Sequence, residues 1–100
     1  MTRRKVVTII GTRPEAIKMA PVIRELARHA DAFEHVLVTT AQHREMLDQV
    51  LRAFDIKPDV DLSLMQQNQS LAAFASRSLM SLSELLSELK PDAILVQGDT

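Results

Sequence analysis

The chain has 100 residues, 46% of them hydrophobic and 25% charged, with 12 basic side chains against 13 acidic ones. That is enough apolar material for the core of one small domain, and the near-neutral chain shows no basic stripe to suggest a nucleic-acid backbone as partner. The absence of cysteine excludes disulfides and thiolate metal sites and suits a reducing, cytoplasmic setting.

The opening MTRRKVVTII joins a basic stretch to an apolar run from Val6 to Ile10. A signal peptide needs roughly 7–15 apolar residues and a membrane span about 20, so neither is predicted. The run is continuous and rich in β-branched residues, as in a strand buried on both faces, and Gly11 stops it. A helical stretch follows from about Pro14 to His29. Pro21 lacks a backbone donor, which predicts a short first turn over 14–19 and a main helix beginning near Pro21. Val36 to Thr40 read as the second strand. Met46, Leu47, Val50, Leu51 and Phe54 recur at the three-and-four spacing of a helix face. Pro58 closes that unit, and Val60, Leu62 and Leu64 alternate as a short strand. Leu71, Phe74, Ala75, Leu79, Leu82, Leu85, Leu86 and Leu89 predict a long amphipathic helix capped by Ser70, and Pro91 ends it. Ala93 to Val96 give the fourth strand. The chain shows no internal repeat and no low-complexity segment.

Strictly alternating strands and helices imply a parallel sheet with right-handed crossovers. The predicted fold is α/β and Rossmann-like, with strand order 3-2-1-4. Ligands of such sheets bind beyond the carboxyl ends of the strands where the winding reverses, here between the first and fourth strands. Gly11-Thr12-Arg13 and Gly98-Asp99-Thr100 would meet there. Gly11 and Gly98 are the only glycines in the chain, each placed after one of those strands. Both could serve tight turns, or let a ligand approach the backbone.

The glycine patterns of dinucleotide and phosphate loops, G-x-G-x-x-G and G-x-x-x-x-G-K-[ST], are absent. Side-chain cations can take their place. Arg13, just ahead of a helix, would add a fork of donors to the positive helix end, and Lys18 could reach the same anion. The plainer alternatives are an Arg13–Glu15 surface pair and a solvated Lys18. Asp99 suits acid/base work or ligand binding, or equally the N-cap of a following helix. TTAQHREM carries Gln42, His43 and Arg44, and its histidine has no second ligand at metal spacing. His29 and His35 look peripheral, and MQQNQS reads as a polar loop able to hydrogen-bond a ligand.

Four stretches, GTRPEAIKMAPVI, TTAQHREMLDQVL, VDLSLMQQNQSL and KPDAILVQGDT, occur in this order. In sequence and separation they resemble the non-hydrolysing UDP-N-acetylglucosamine 2-epimerases, from Val6 to Thr100. The resemblance implies a two-domain glycosyltransferase-B-type fold with its active site between two Rossmann-like domains. Residues 1–100 would form the first part of the N-terminal one. It implies interconversion of UDP-N-acetylglucosamine and UDP-N-acetylmannosamine by anti elimination of UDP to 2-acetamidoglucal and re-addition, feeding surface polysaccharide synthesis. By the same resemblance Gly11 belongs to the substrate-binding motif, and Arg13 and Lys18 match substrate-contacting cations. Asp99 matches one of three catalytic carboxylates, the other two lying beyond residue 100. Gln42, His43 and Gln69 match positions that in bacterial members help bind a second, activating UDP-N-acetylglucosamine. The partners implied are UDP-N-acetylglucosamine and UDP, in a homodimer, with no nucleic acid, membrane, metal or redox cofactor. Two positions depart from the pattern: Ala41 stands where many members have glycine, and Gln97 where others have histidine.

Rival readings are a nucleotide-sugar glycosyltransferase of the same fold, a hydrolysing epimerase, and a nucleotide-binding module without chemistry. An open apolar edge at Ala93–Val96, with one helix over one sheet face, is a pairing hazard that complete domains avoid, so the sequence reads as a fragment of a longer chain. Residues 1–100 alone are therefore expected to be inert. Measurable turnover of UDP-N-acetylglucosamine by that piece would overturn the expectation.

Overall fold

In the computed structural model, which describes residues 3–40, 44–62, 64 and 69–97, strand and helix alternate along the chain. The elements are β1 (Arg4–Ile10), α1 (Arg13–Arg28), β2 (Phe33–Thr39), α2 (Arg44–Ala53), β3 (Val60–Asp61), α3 (Leu71–Leu89) and β4 (Ala93–Leu95). The sheet has the predicted order β3-β2-β1-β4, and every pairing in it is parallel. β1 pairs with β2 from Arg4↔Phe33 to Ile10↔Thr39, and with β4 from Val6↔Ala93 to Thr8↔Leu95.

The two faces of the sheet are covered differently. Side chains alternate along a strand, so Thr8, Ile10 and their neighbour Leu37 share one face. On that face Ile10 and Leu37 pack with Ala16, Met19 and Ile23 of α1 and Leu47 and Leu51 of α2, all buried. α3 belongs to the other face, where the Lys5 ammonium donates to Leu89 O at 2.9 Å. Ser70 caps α3 as predicted, its hydroxyl accepting from Ala73 N at 3.0 Å. Half-buried Phe74, Ser78, Leu82, Leu85 and Leu89 form its inner stripe. Three expected members of that stripe are not on it: Leu71 is 82% exposed, Leu79 73% exposed, and Ala75 is exposed as well. A turn advances about 100° per residue, so a 19-residue helix cannot keep all eight predicted apolar positions on one narrow seam.

Boundaries differ from the sequence expectation mainly at three elements. α1 is continuous through Pro21, rather than starting near it. Proline deprives the carbonyl four residues back, that of Ile17, of its helical partner. Ile17 is 47% exposed, so water can take that role, while buried Met19, Ala20 and Ile23 hold the helix to the sheet. β2 begins three residues early, at Phe33, because pairing with Arg4 and Lys5 extends the ladder toward the amino end. β3 is only Val60–Asp61; beyond it Leu62 N bonds Thr39 O at 2.9 Å and Leu64 N bonds Thr40 O at 3.2 Å without continuing the strand.

Leu37→Ala removes a fully buried side chain at the centre of this packing and is expected to destabilise the protein by about 2–5 kcal/mol, against less than ~0.5 kcal/mol for Ile17→Ala on the exposed face. Urea unfolding of both variants checks this; equal losses would contradict the assigned core.

Candidate functional site at the carboxyl edge of the sheet

β1 delivers the chain to buried Gly11 and then to Thr12, the extended residue that precedes α1. One carboxylate organises this turn. Glu15 Oε1 accepts from Gly11 N at 2.8 Å, from Thr12 N at 2.7 Å and from the Thr12 hydroxyl at 3.0 Å. The arrangement is the glutamate half of a capping box, with Pro14 in the first turn adding preset helical geometry. Gly11 has no positive φ, so a left-handed turn is not what requires glycine there.

Glu15 is thus committed to the backbone, and the sequence alternative of an Arg13–Glu15 pair is not realised. Arg13 is exposed and makes no hydrogen bond or ion pair with another described residue. The consequence is electrostatic. Glu15 takes the backbone donors of Gly11 and Thr12 just ahead of α1 and puts a carboxylate at the helix N-terminus. Arg13 adds a charged fork of donors at the same opening. Lys18 is also exposed, but five residues on it lies about 140° round the helix axis from Arg13.

The ends of β1 and β2 are joined beside this turn. Thr40 N donates to Ile10 O at 3.0 Å, and Thr39 and Thr40 are both buried. Through the bond from Leu64 N to Thr40 O, the segment after β3 comes to the same edge. Gln69 follows it there, its amide donating to Leu64 O at 3.3 Å. The structure therefore brings Gln69 to the edge that carries Gly11 and Arg13. On the other side β4 runs parallel to β1, Leu95 level with Thr8, so both strands point toward the same rim. Gln42, His43, Gly98 and Asp99 lie outside the described residues.

His35 was expected to be peripheral and is not. It is half-buried, with Nε2 2.8 Å from the hydroxyl of the fully buried Thr8. Burial pushes its pKa below the usual 6.5, opposed in part by the charge of Asp59. The signal in the sequence was Thr8, a polar residue inside an otherwise apolar run, which requires a partner when buried. His35 opens onto a cavity of about 430 Å³ between α1, β2 and the segment after α2, whose walls include Ile23, Leu37 and Asp59. This hollow lies toward the amino half of β2, away from the edge with Arg13. His29, by contrast, is peripheral, exposed and paired with Glu25 at 3.0 Å.

A parallel sheet whose winding reverses between β1 and β4, with helices packed on it, is a Rossmann-like α/β arrangement. The family profile described as UDP-N-acetylglucosamine 2-epimerase matches residues 24–100. The chain belongs to the UDP-N-acetylglucosamine 2-epimerase family. Among its relatives, the UDP-N-acetylglucosamine 2-epimerase of Bacillus subtilis (strain 168) is 55% identical over 100 residues, all of this chain and 26% of the relative. That of Yersinia pestis is 58% identical over 96% of this chain and 25% of its own. A crystal structure of the Neisseria meningitidis UDP-GlcNAc 2-epimerase bound to UDP-GlcNAc superposes with a TM-score of 0.85 at 55% identity, over 96% of this chain and 26% of that one. The chain spans about a quarter of the length of the curated relatives it matches. Among the described residues no helix is long and apolar enough to cross a membrane.

For His35 the folded pKa lies below the unfolded one, so the unfolded state takes up the proton first as pH falls. Its contribution to stability is fully present above about pH 6.5 and declines below that, until the folded-state pKa is passed. The His35 ring should titrate by NMR with a midpoint below 6.5; a midpoint at or above it would contradict the burial argument.

Proposed function

We propose that this chain is the first part of the N-terminal Rossmann-like domain of a non-hydrolysing UDP-N-acetylglucosamine 2-epimerase of the two-domain glycosyltransferase-B type. The observation that carries the reading is the parallel adjacency of β1 and β4. The two strands run toward one rim, where the Gly11-Thr12-Arg13 turn lies, and in this reading the segment after β4 brings Asp99 to it from 86 positions along the chain. The UDP-GlcNAc held by the Neisseria meningitidis relative supports the choice of ligand.

In this reading the substrate's diphosphate lies against the start of α1, with Gly11 allowing close approach of the backbone. Arg13, its charge not spent on Glu15, compensates the negative charge that grows on UDP as the bond from carbon 1 to oxygen breaks. Lys18 adds a second cation from further round the helix. The proton on carbon 2 leaves on the face opposite UDP, giving 2-acetamidoglucal. UDP then returns to carbon 1, and a proton is delivered to the other face of carbon 2. Asp99 serves this proton transfer directly or organises the group that does. No metal or redox cofactor takes part. Gln69, with Gln42 and His43, is the candidate contact for a second, activating UDP-N-acetylglucosamine. Its position at the rim through Leu64 favours that role. The whole protein is proposed to be a cytoplasmic homodimer.

The test is full-length protein with UDP-N-acetylglucosamine in deuterated water, followed at carbon 2 by NMR. Epimerisation with deuterium uptake and intact UDP-sugar is expected. Free sugar would instead mark a hydrolase, turnover only with an acceptor a glycosyltransferase, and binding without turnover a module lacking chemistry. Asp99→Asn should lower turnover by about 10²-fold or more with UDP affinity retained, and Arg13→Met should lower kcat/KM by about 10²–10³-fold. Unchanged turnover in either variant would remove that residue from the site.

A further inference from the structure

The tripeptide Lys-Pro-Asp occurs twice, at Lys57-Pro58-Asp59 and Lys90-Pro91-Asp92, a coincidence of three residues too short to make an internal repeat. Each copy leads directly into an edge strand, β3 or β4. Each also follows a helix whose exit includes a left-handed residue, Asp55 with φ 56° and Lys90 with φ 50°, the two non-glycine residues of positive φ among the described ones. The hydrogen bonds of the two aspartates are the same. Asp59 N donates to Leu37 O at 2.9 Å, and Asp59 Oδ2 accepts from Leu37 N at 2.7 Å. Asp92 N donates to Lys5 O at 2.8 Å, and Asp92 Oδ2 accepts from Lys5 N at 2.7 Å. In both places an aspartate closes a two-bond ring with one residue of the neighbouring strand, one position before the ladder begins at Val38↔Val60 or Val6↔Ala93.

We infer that Asp92 is a positioning residue for the site, setting the register of β4 on β1 from the opposite end of the sheet. β4 pairs over only three residues, and Ile94 and Val96 are exposed, so packing specifies its register weakly. A slip of one residue would turn each β4 side chain to the other face and move the following segment by about 3.3 Å. Lys5 strengthens the lock: it gives both backbone groups to Asp92 and its ammonium to Leu89 O, so one residue of β1 holds the whole α3–β4 turn by three hydrogen bonds. The exposed Arg4–Asp92 pair at 3.9 Å adds little. Pro91 restricts the backbone beside the clamp. Asp59 and Leu37 show the same device working at β3, away from the rim.

The inference rests on the reading in which Asp99, seven residues on from Asp92, acts opposite Arg13, and its test separates the two. In the full-length protein Asp92→Asn keeps an oxygen at the same reach, whereas Asp92→Glu keeps the charge and displaces the oxygen by one methylene. The Asn variant should hold kcat within about threefold of wild type, and the Glu variant should lose up to about 10²-fold in kcat with KM moved far less. A Glu variant as fast as wild type, or an Asn variant as slow as the Glu one, would overturn the assignment. Crystal structures of Asp92→Ala and Asp92→Glu give a readout independent of activity. Loss of the Val6↔Ala93 register in either supports the clamp, and its retention in both overturns it. Wild-type protein that fails to epimerise would defeat the functional reading while leaving this structural comparison decisive.

Discussion

β1 is hydrogen-bonded along both edges, to β2 from Arg4 through Ile10 and to β4 from Val6 through Thr8, and every feature at the carboxyl rim takes its position from that double pairing. A strand flanked on both sides cannot shift relative to one neighbour without breaking the other ladder. Its apolar side chains enforce the same constraint, since Val7 and Ile10 are buried on opposite faces and a slip would exchange them. Gly11 and Arg13 follow such a strand directly, so the first turn of α1 is presented by the most constrained part of the molecule. β3 and β4 are short by comparison and depend on hydrogen bonds at their entrances.

The rim also has a definite electrostatic arrangement. In glycine-rich phosphate loops the backbone N–H groups bind the anion. Here Glu15 occupies the donors of Gly11 and Thr12, stabilising the start of α1 from within the chain. That internal carboxylate offsets part of the positive end of the helix. Arg13, exposed and without a described partner, is the cation nearest the turn.

Much of the architecture was legible from local pattern. The continuous run Val6–Ile10, the three-and-four spacing after Met46 and the Ser70 cap each state an element type, and alternation of those elements implies a parallel sheet in the order found. The misreadings share one cause. Pro21 looks disruptive when only chain-local hydrogen bonds are counted, but Ile17 is exposed and the buried side of the helix outweighs the lost bond. Leu71 and Leu79 fit an apolar list, yet helix geometry turns them away from the sheet. His35 looks peripheral until Thr8, 27 positions earlier, proves to be its partner. For the site, glycine and arginine after a strand were readable, and so was the family resemblance. The commitment of Glu15 to Gly11 and Thr12, which leaves Arg13 unpaired with it, was carried by the Thr12-x-x-Glu15 spacing of a capping box, a signal that the neighbouring opposite charges obscure.

The amino-acid sequence by itself determined which segments are strands and helices, where they begin and end to within a few residues, and which motifs stand after which strand. These follow from periodicity, caps and turn formers, which act between neighbours in the chain. Glu15 reaches its partners within one turn, but only the tertiary structure decided which backbone groups Asp59 satisfies at the entrance of β3 and Asp92 at the entrance of β4. Asp92 and Lys5 are 87 residues apart, and no local preference can specify a bond of that span. It forms because the crossover through α3 returns β4 beside β1, and a carboxylate at that junction meets an N–H that the ladder has not yet taken up.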